Sequence, residues 1–318
     1  MKLRELGKSG LLVSEVAFGG VEIGMPYGLA DNGIQQMPTE EESIHLLHAA
    51  IDAGINLFDT APVYGSSEVI MGKAFRSKRD QVIIETKCRP FRNDQGVIPA
   101  HKELRKFIEL SLQQSMEALQ TSYIDVFMLH EGDVTVLGNQ DVGRILTDLK
   151  NSGIVRAVGV STYTTEESQL AIESGTWDVI QAPFNLMDQR QSGLFALALE
   201  RGVGLIIRSV LFKGLLSNRG KDLHPALKSV EAHLTEYQQL LSPASPELPI
   251  AAIKFALSFS EISSVLVGMD KIEYLQKTLL AADGNYYGPE KLNLCKQLAY
   301  PDPAFLNLPL WARNGWLK

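Results

Sequence analysis

A closed barrel of eight parallel strands, each followed by a helix, is the fold class this sequence predicts, and three observations carry it. Eight short apolar or β-branched runs recur along the 318 residues, longer amphipathic patterns separate them, and no G-x-G-x-x-G fingerprint of a doubly wound sheet occurs. Strands that alternate with helices must pair in parallel, because each parallel neighbour needs a crossover connection. The expected architecture is a (β/α)₈ barrel with an N-terminal hairpin and extra helices after strand seven and near the C-terminus. Residues 1–318 read as a single domain, since no Gly/Ser-rich or Pro-rich linker divides them.

Taken in order, residues 1–13 read as a hairpin around "GKSG". The strands follow as "SEVAFG" (14–19), "INLFD" (55–59), "VIIETK" (82–87), "IDVFMLH" (124–130), "VRAVGVS" (155–161), "DVIQAP" (178–183), "VGLIIRS" (203–209) and "SSVLVG" (263–268). Between the first two strands, Thr39 and Glu42 have the spacing of a capping box, and Ile44, Leu47 and Ile51 fall on one helical face. Leu104, Ile108, Leu112 and Leu119 repeat the helical period over 100–120. Residues 222–242 read as an additional helix in the loop after strand seven, and the segment from 284 as a C-terminal addition with two tryptophans in its tail.

Bulk properties narrow the partners. An apolar fraction of 45% supports one large core, and a net charge of −7 argues against a nucleic acid, whose binding needs a basic surface. A small molecule is the expected partner. No apolar run has the roughly 18 residues of a membrane-spanning helix, and the first residues make a poor signal peptide, so a cytoplasmic location is expected. Two cysteines, Cys88 and Cys295, point to a reducing compartment. His45 and His48 lie three apart on a helix without a third ligand, so no metal is expected. Composition is silent on oligomeric state.

In such a barrel the active site lies at the C-terminal ends of the strands. Strand two ends in Asp59, strand three in Lys87 and strand four in His130, while Tyr64 sits in the loop after strand two. Singly, each has an ordinary reading as a turn cap, a packed aromatic or a barrel ion pair. Together they suit hydride transfer to a carbonyl. Tyr64 is the candidate general acid, with its pKa lowered by Lys87, Asp59 would hold Lys87, and a neutral His130 would orient the carbonyl.

The stretches "GINLFDTAPVYGSSEVIMGKAF", "VIIETKC", "YIDVFMLH", "SGIVRAVGVS" and "DVIQAPFNLMDQR" resemble the aldo-keto reductases over almost the whole chain. The resemblance implies that Asp59, Tyr64, Lys87 and His130 form the catalytic tetrad. It also implies cofactor contacts from Gly20, Ser161, Thr162 and Gln181, and from Gly268 and Lys271 at and beyond strand eight. Thr162 stands where the family usually has asparagine. After strand seven, "RSVLFKGLL" places Arg208 where many members have a tyrosine stacked on nicotinamide. A guanidinium there would favour the reduced ring, unless Arg208 pairs with an acidic loop residue and Phe212 supplies the aromatic face. After strand eight, Tyr274 stands at the usual arginine position for a 2′-phosphate and Asp270 opposes Lys271, so weak discrimination between NADP and NAD is expected.

The reaction this implies is NAD(P)-dependent interconversion of a small, hydroxylated or sugar-like aldehyde or ketone and its alcohol. Glu22, Arg89, Glu131 and Phe212, from the loops after strands one, three, four and seven, are the candidate substrate contacts. Two alternatives stand beside it: a cofactor-binding redox sensor with slow turnover, and an aldolase forming a Schiff base on Lys87.

Overall fold

The structure, a computed structural model, describes residues 1–29, 37–241 and 247–317. The chain begins with an antiparallel hairpin, β1 (Leu3–Glu5) and β2 (Leu12–Ser14). Eight parallel strands follow: β3 (Val16–Gly19), β4 (Leu57–Asp59), β5 (Ile83–Cys88), β6 (Ile124–Leu129), β7 (Val155–Ser161), β8 (Val179–Pro183), β9 (Gly204–Arg208) and β10 (Ser264–Gly268). Each pairs with the next in sequence, and β10 pairs with β3 to close the barrel.

Strand periodicity divides the core in two. Ala17, Leu57, Ile83, Val126, Met128, Ala157, Val179 and Ile206 form the inner cluster, and hairpin residues Leu6, Leu11 and Val13 join it as the barrel floor. The alternate residues, among them Phe18, Phe58, Ile84, Phe127 and Ile207, face the helices in a larger outer layer. Each such fully buried side chain contributes about 1.5–3 kcal/mol relative to exposure. Both layers fix the strand phase, because a one-residue slip would turn every inward side chain outward.

The helix Glu40–Asp52 starts with both halves of the Thr39–Glu42 capping box. Its inner face is Leu46, Leu47 and Ala50, with Ile44 and Ile51 half-buried at its margin. Helix His101–Ala118 buries Leu104, Ile108 and Leu112 as the spacing requires. The limits of β7 coincide with the sequence expectation, and those of the other barrel strands differ from it by one or two residues. β4, for example, starts at Leu57 rather than Ile55, because the Asn56 side chain is engaged with the hairpin, accepting from Ser14 N at 2.6 Å and donating to Leu12 O at 2.9 Å.

The additions lie where expected. A turn at Pro225–Leu227 leads into helix Lys228–Leu241 after β9, and helices Pro289–Gln297 and Leu308–Arg313 lie near the C-terminus. Trp311 is fully buried, with its ring 6.2 Å from that of Phe212, so the tail backs the loop that follows β9.

Candidate active site

The phase that puts Leu57 inside the barrel puts Asp59 at its mouth, two residues on. By the same count Ile83 leads to Glu85 and Lys87, Met128 to His130, Val179 to Gln181, and Ile206 to Arg208. A cavity of about 660 Å³ opens at this end, bordered by Asp59, Tyr64, His130, Ser161, Gln181 and Arg208. It extends past Gly268 and Asp270 to Lys271, Tyr274 and Lys277.

Lys87 lies beneath this cavity, fully buried, and donates to Asp59 and to the Thr60 carbonyl at 3.1 Å. Asp59 also accepts from the Gln181 amide at 2.9 Å, and the same amide donates to Glu85. Glu85 is fully buried, 3.9 Å from the Lys87 ammonium, and its second oxygen has no partner among the described residues. Burial, and then the charge of Asp59, hold its carboxyl well above the usual range. The Lys87 ammonium opposes that rise. Burial works against the Lys87 ammonium, but Asp59, Tyr64 and Glu85 outweigh it and raise its pKa.

Tyr64 lies with its ring centroid 5.0 Å from the Lys87 ammonium and 5.7 Å from the His130 ring, which it meets edge-on. Here the electrostatics correct a sequence expectation. Burial pushes the Tyr64 phenol up to about 12, and the opposing charge of Lys87 does not bring it below the ordinary value. The lysine limits the rise, and the charge of Asp59 works against it. His130 is lowered to about 4, by burial first and then by Lys87, so it is neutral at physiological pH.

The remaining sequence candidates divide into those that border the cavity and those that do not. Ser161, Gln181, Arg208 and Gly268 border the cavity, as do Lys271, Glu22 and Phe212. Gly19 borders it instead of Gly20, where an added Cβ would meet Met71 and Ser67 on the helix side. Thr162 is fully buried with its hydroxyl 2.7 Å from that of Ser168, so it offers the cavity no side chain. Arg89 and Glu131 are exposed and lie outside the cavity wall. Arg208 donates to the Thr162 carbonyl at 2.9 Å and lies 4.4 Å from the Tyr163 ring centroid. It has found an aromatic partner within the chain, and Phe212 is buried against Trp311.

Four residues that the sequence reading did not single out also matter. Glu85 was legible from its place two before Lys87 on one strand. Tyr163, Arg219 and Lys277 border the cavity from loops and a helix, and no periodicity reaches them. Lys277 is held by Glu247 at 2.7 Å and Glu273 at 2.9 Å, and Arg219 donates to the Leu29 carbonyl and the Tyr274 hydroxyl.

An eight-stranded parallel barrel with a buried lysine–aspartate pair, a tyrosine and a neutral histidine at the strand C-termini belongs to the class of barrel oxidoreductases. The model of the Aldo/keto reductase family matches residues 18–298, and the chain belongs to that family. Among its relatives, an L-galactose dehydrogenase of Arabidopsis thaliana is 28% identical over 299 residues, 88% of each chain. An NADH-specific methylglyoxal reductase of Escherichia coli (strain K12) is also 28% identical, over 90% of this chain and 94% of the relative. Among solved structures, the holo form of an aldo-keto reductase from Bacillus halodurans superposes with a TM-score of 0.78 at 25% identity, covering 94% of this chain and 96% of that one. Among the described residues, no helix is long and apolar enough to cross a membrane.

Proposed function

We propose that the protein reduces small, hydroxylated aldehydes or ketones by hydride transfer from NADPH or NADH, with Tyr64 as the proton donor. The observation that carries this reading is the arrangement around Lys87: a buried ammonium held by Asp59, with the Tyr64 ring beside it and a neutral His130 facing the same cavity. The protonated phenol holds the proton that the developing alkoxide takes. The neutral imidazole donates a hydrogen bond that orients the carbonyl, and Lys87 stabilises the phenolate left behind. A nicotinamide cofactor supplies the hydride when bound. The cavity suits it: Gly19 and Gly268 border the space without side chains, and Ser161 and Gln181, paired across β7 and β8, offer polar groups. Arg208 would lie beside the ring, and Lys271, Tyr274 and Lys277 at the adenosine end.

The same site disfavours an aldolase. A Schiff base needs a neutral amine, whereas the raised pKa and the Asp59 pair keep Lys87 charged. A hydroxylated substrate fits the polar cavity that Glu22, Ser161, Gln181 and Arg208 border together with Tyr64, and the names of two relatives, a galactose dehydrogenase and a methylglyoxal reductase, accord with it. Tyr64→Phe tests the reading. It is expected to lower kcat for carbonyl reduction by about 10²–10⁴ while cofactor affinity, followed by quenching of tryptophan fluorescence, stays within about twofold. Near-normal turnover in this variant would remove Tyr64 from the chemistry. A single-turnover hydride transfer far faster than steady-state turnover would instead indicate a sensor.

A further inference from the structure

Glu85 lies beneath the cavity and borders none of it, its side chain being fully buried in the barrel. The strand phase sets it on β5, level with Asp59 on β4 and two residues before Lys87. Ile83, Val126 and Val179 fill the inner cluster with apolar groups. A carboxyl in the same interior costs free energy, and its Oε2 has no partner among the described residues. Lys87 does not account for it, because the ammonium is already held by Asp59 and the Thr60 carbonyl, and Glu85 stands off at 3.9 Å. What Glu85 engages is Gln181, which reaches across the barrel from β8 and donates to both Glu85 Oε1 and Asp59 Oδ1, the latter at 2.9 Å.

Those two bonds decide which way the amide faces. Its nitrogen carries two hydrogens, and the two carboxyl groups take them. Turned about, the amide would set its own oxygen against Asp59 and Glu85, acceptor against acceptor. Gln181 borders the cavity, and its oxygen takes no donor from the described residues and is not shut off from solvent as Glu85 Oε2 is. The group that Gln181 offers a ligand is thus an acceptor. Asp59 alone would not fix this, since one bond leaves the amide free to swing and one N–H unpaired. We infer that Glu85 is a positioning residue of the reaction proposed above, on which this inference rests: with Asp59 it holds the Gln181 oxygen ready to accept from the carboxamide NH2 of a nicotinamide cofactor. A ring that lacks those N–H donors leaves the oxygen unpaired, and a site built around a hydrogen bond rejects an analogue without the partner.

The test titrates NADPH and NADH into the full chain, each beside its reduced 3-acetylpyridine analogue, in which a methyl replaces the carboxamide NH2, and reads dissociation constants from quenching of tryptophan fluorescence. Wild type is expected to bind the carboxamide form about five- to fiftyfold more tightly. Glu85→Met, close in length but without the carboxyl, should bring that ratio below about threefold, as should Gln181→Leu. Glu85→Gln, which keeps an oxygen for the Gln181 amide, should stay within about twofold of wild type. A merely structural Glu85 would weaken both members of each pair alike and leave the ratio unmoved. A wild-type ratio near one, an unchanged ratio in Glu85→Met, or a collapsed ratio in Glu85→Gln overturns the role of Glu85 and leaves the reaction standing so long as wild type reduces a carbonyl with either cofactor. If Glu85→Met does not fold, Glu85→Leu, which matches the apolar inner cluster, carries the same comparison. If wild type binds no nicotinamide cofactor, the proposed reaction falls and the inference falls with it.

Discussion

Replacing Lys87 by Met should destabilise the protein far more than replacing its partner Asp59 by Asn, although each substitution breaks the same ion pair. Lys87 is fully buried and Asp59 is 3% exposed, so neither charge can turn to water when its partner is lost. Removing one member of a buried pair costs about 3–5 kcal/mol, most of it the uncompensated charge left behind. Lys87→Met leaves Asp59 with the Gln181 amide as its remaining side-chain donor among the described residues and Glu85 as a second acid close by. Asp59→Asn leaves Lys87 with a substitute. Glu85 is 3.9 Å from the ammonium, and its pKa is raised partly by Asp59 itself, so removing that charge lets Glu85 ionise and take over the pairing. The cost of Asp59→Asn should therefore be about 1–2 kcal/mol. The double variant has no charge to strand and should cost less than Lys87→Met alone, a non-additivity of about 2–3 kcal/mol. Urea unfolding at pH 7, with m values unchanged, measures all three. Equal single costs, or a double cost equal to their sum, would refute the assignment of Glu85 as the reserve carboxylate. Both single variants should lose carbonyl reduction, since each disturbs the ammonium beside Tyr64.

The pH dependence follows from the same groups. Because the Tyr64 pKa is raised to about 12, its acid form persists through neutrality, so kcat/KM for reduction of an apolar aldehyde should stay level from about pH 6 to about pH 10, while oxidation of the alcohol, which needs the phenolate, climbs about tenfold per pH unit. A fall in reduction centred near pH 7 would contradict this. His130, lowered to about 4, should add no inflection above about pH 5, which a pH–rate profile of His130→Asn against wild type checks. At the far end of the cavity, Glu247 and Glu273 neutralise Lys277, so calorimetric titration should show less than about a hundredfold preference for NADPH over NADH. Glu273→Gln should free part of that charge and move the ratio toward NADPH by up to about fivefold, and no movement would place Lys277 outside the phosphate's reach.

Much of the site follows from counting by twos along the strands. Asp59, Lys87 and His130 share the inward phase of Leu57, Ile83 and Met128, a pattern of apolar and polar residues visible in the chain itself. The same count picks out Glu85, Ser161, Gln181 and Arg208, and it turns Gly20 to the helix side. Past the strand ends the count holds for His130 and fails elsewhere. Arg89 and Glu131 lie only one or two residues past the strand ends, yet they face solvent, and Thr162 turns its hydroxyl to Ser168.

What the sequence determined by itself was the barrel, the order of its strands and the residue types gathered at its mouth, because strand phase and helix period are local properties enforced by burial on both faces of each strand. The tertiary structure decided the protonation states and the reach of the loops. Tyr64 lies above its ordinary pKa although a lysine is its neighbour, the Glu85 carboxyl is held well above the usual range, and Glu22 packs against Gly268. Each of these depends on desolvation and on charges brought together from strands far apart in the chain, and no local pattern records that sum.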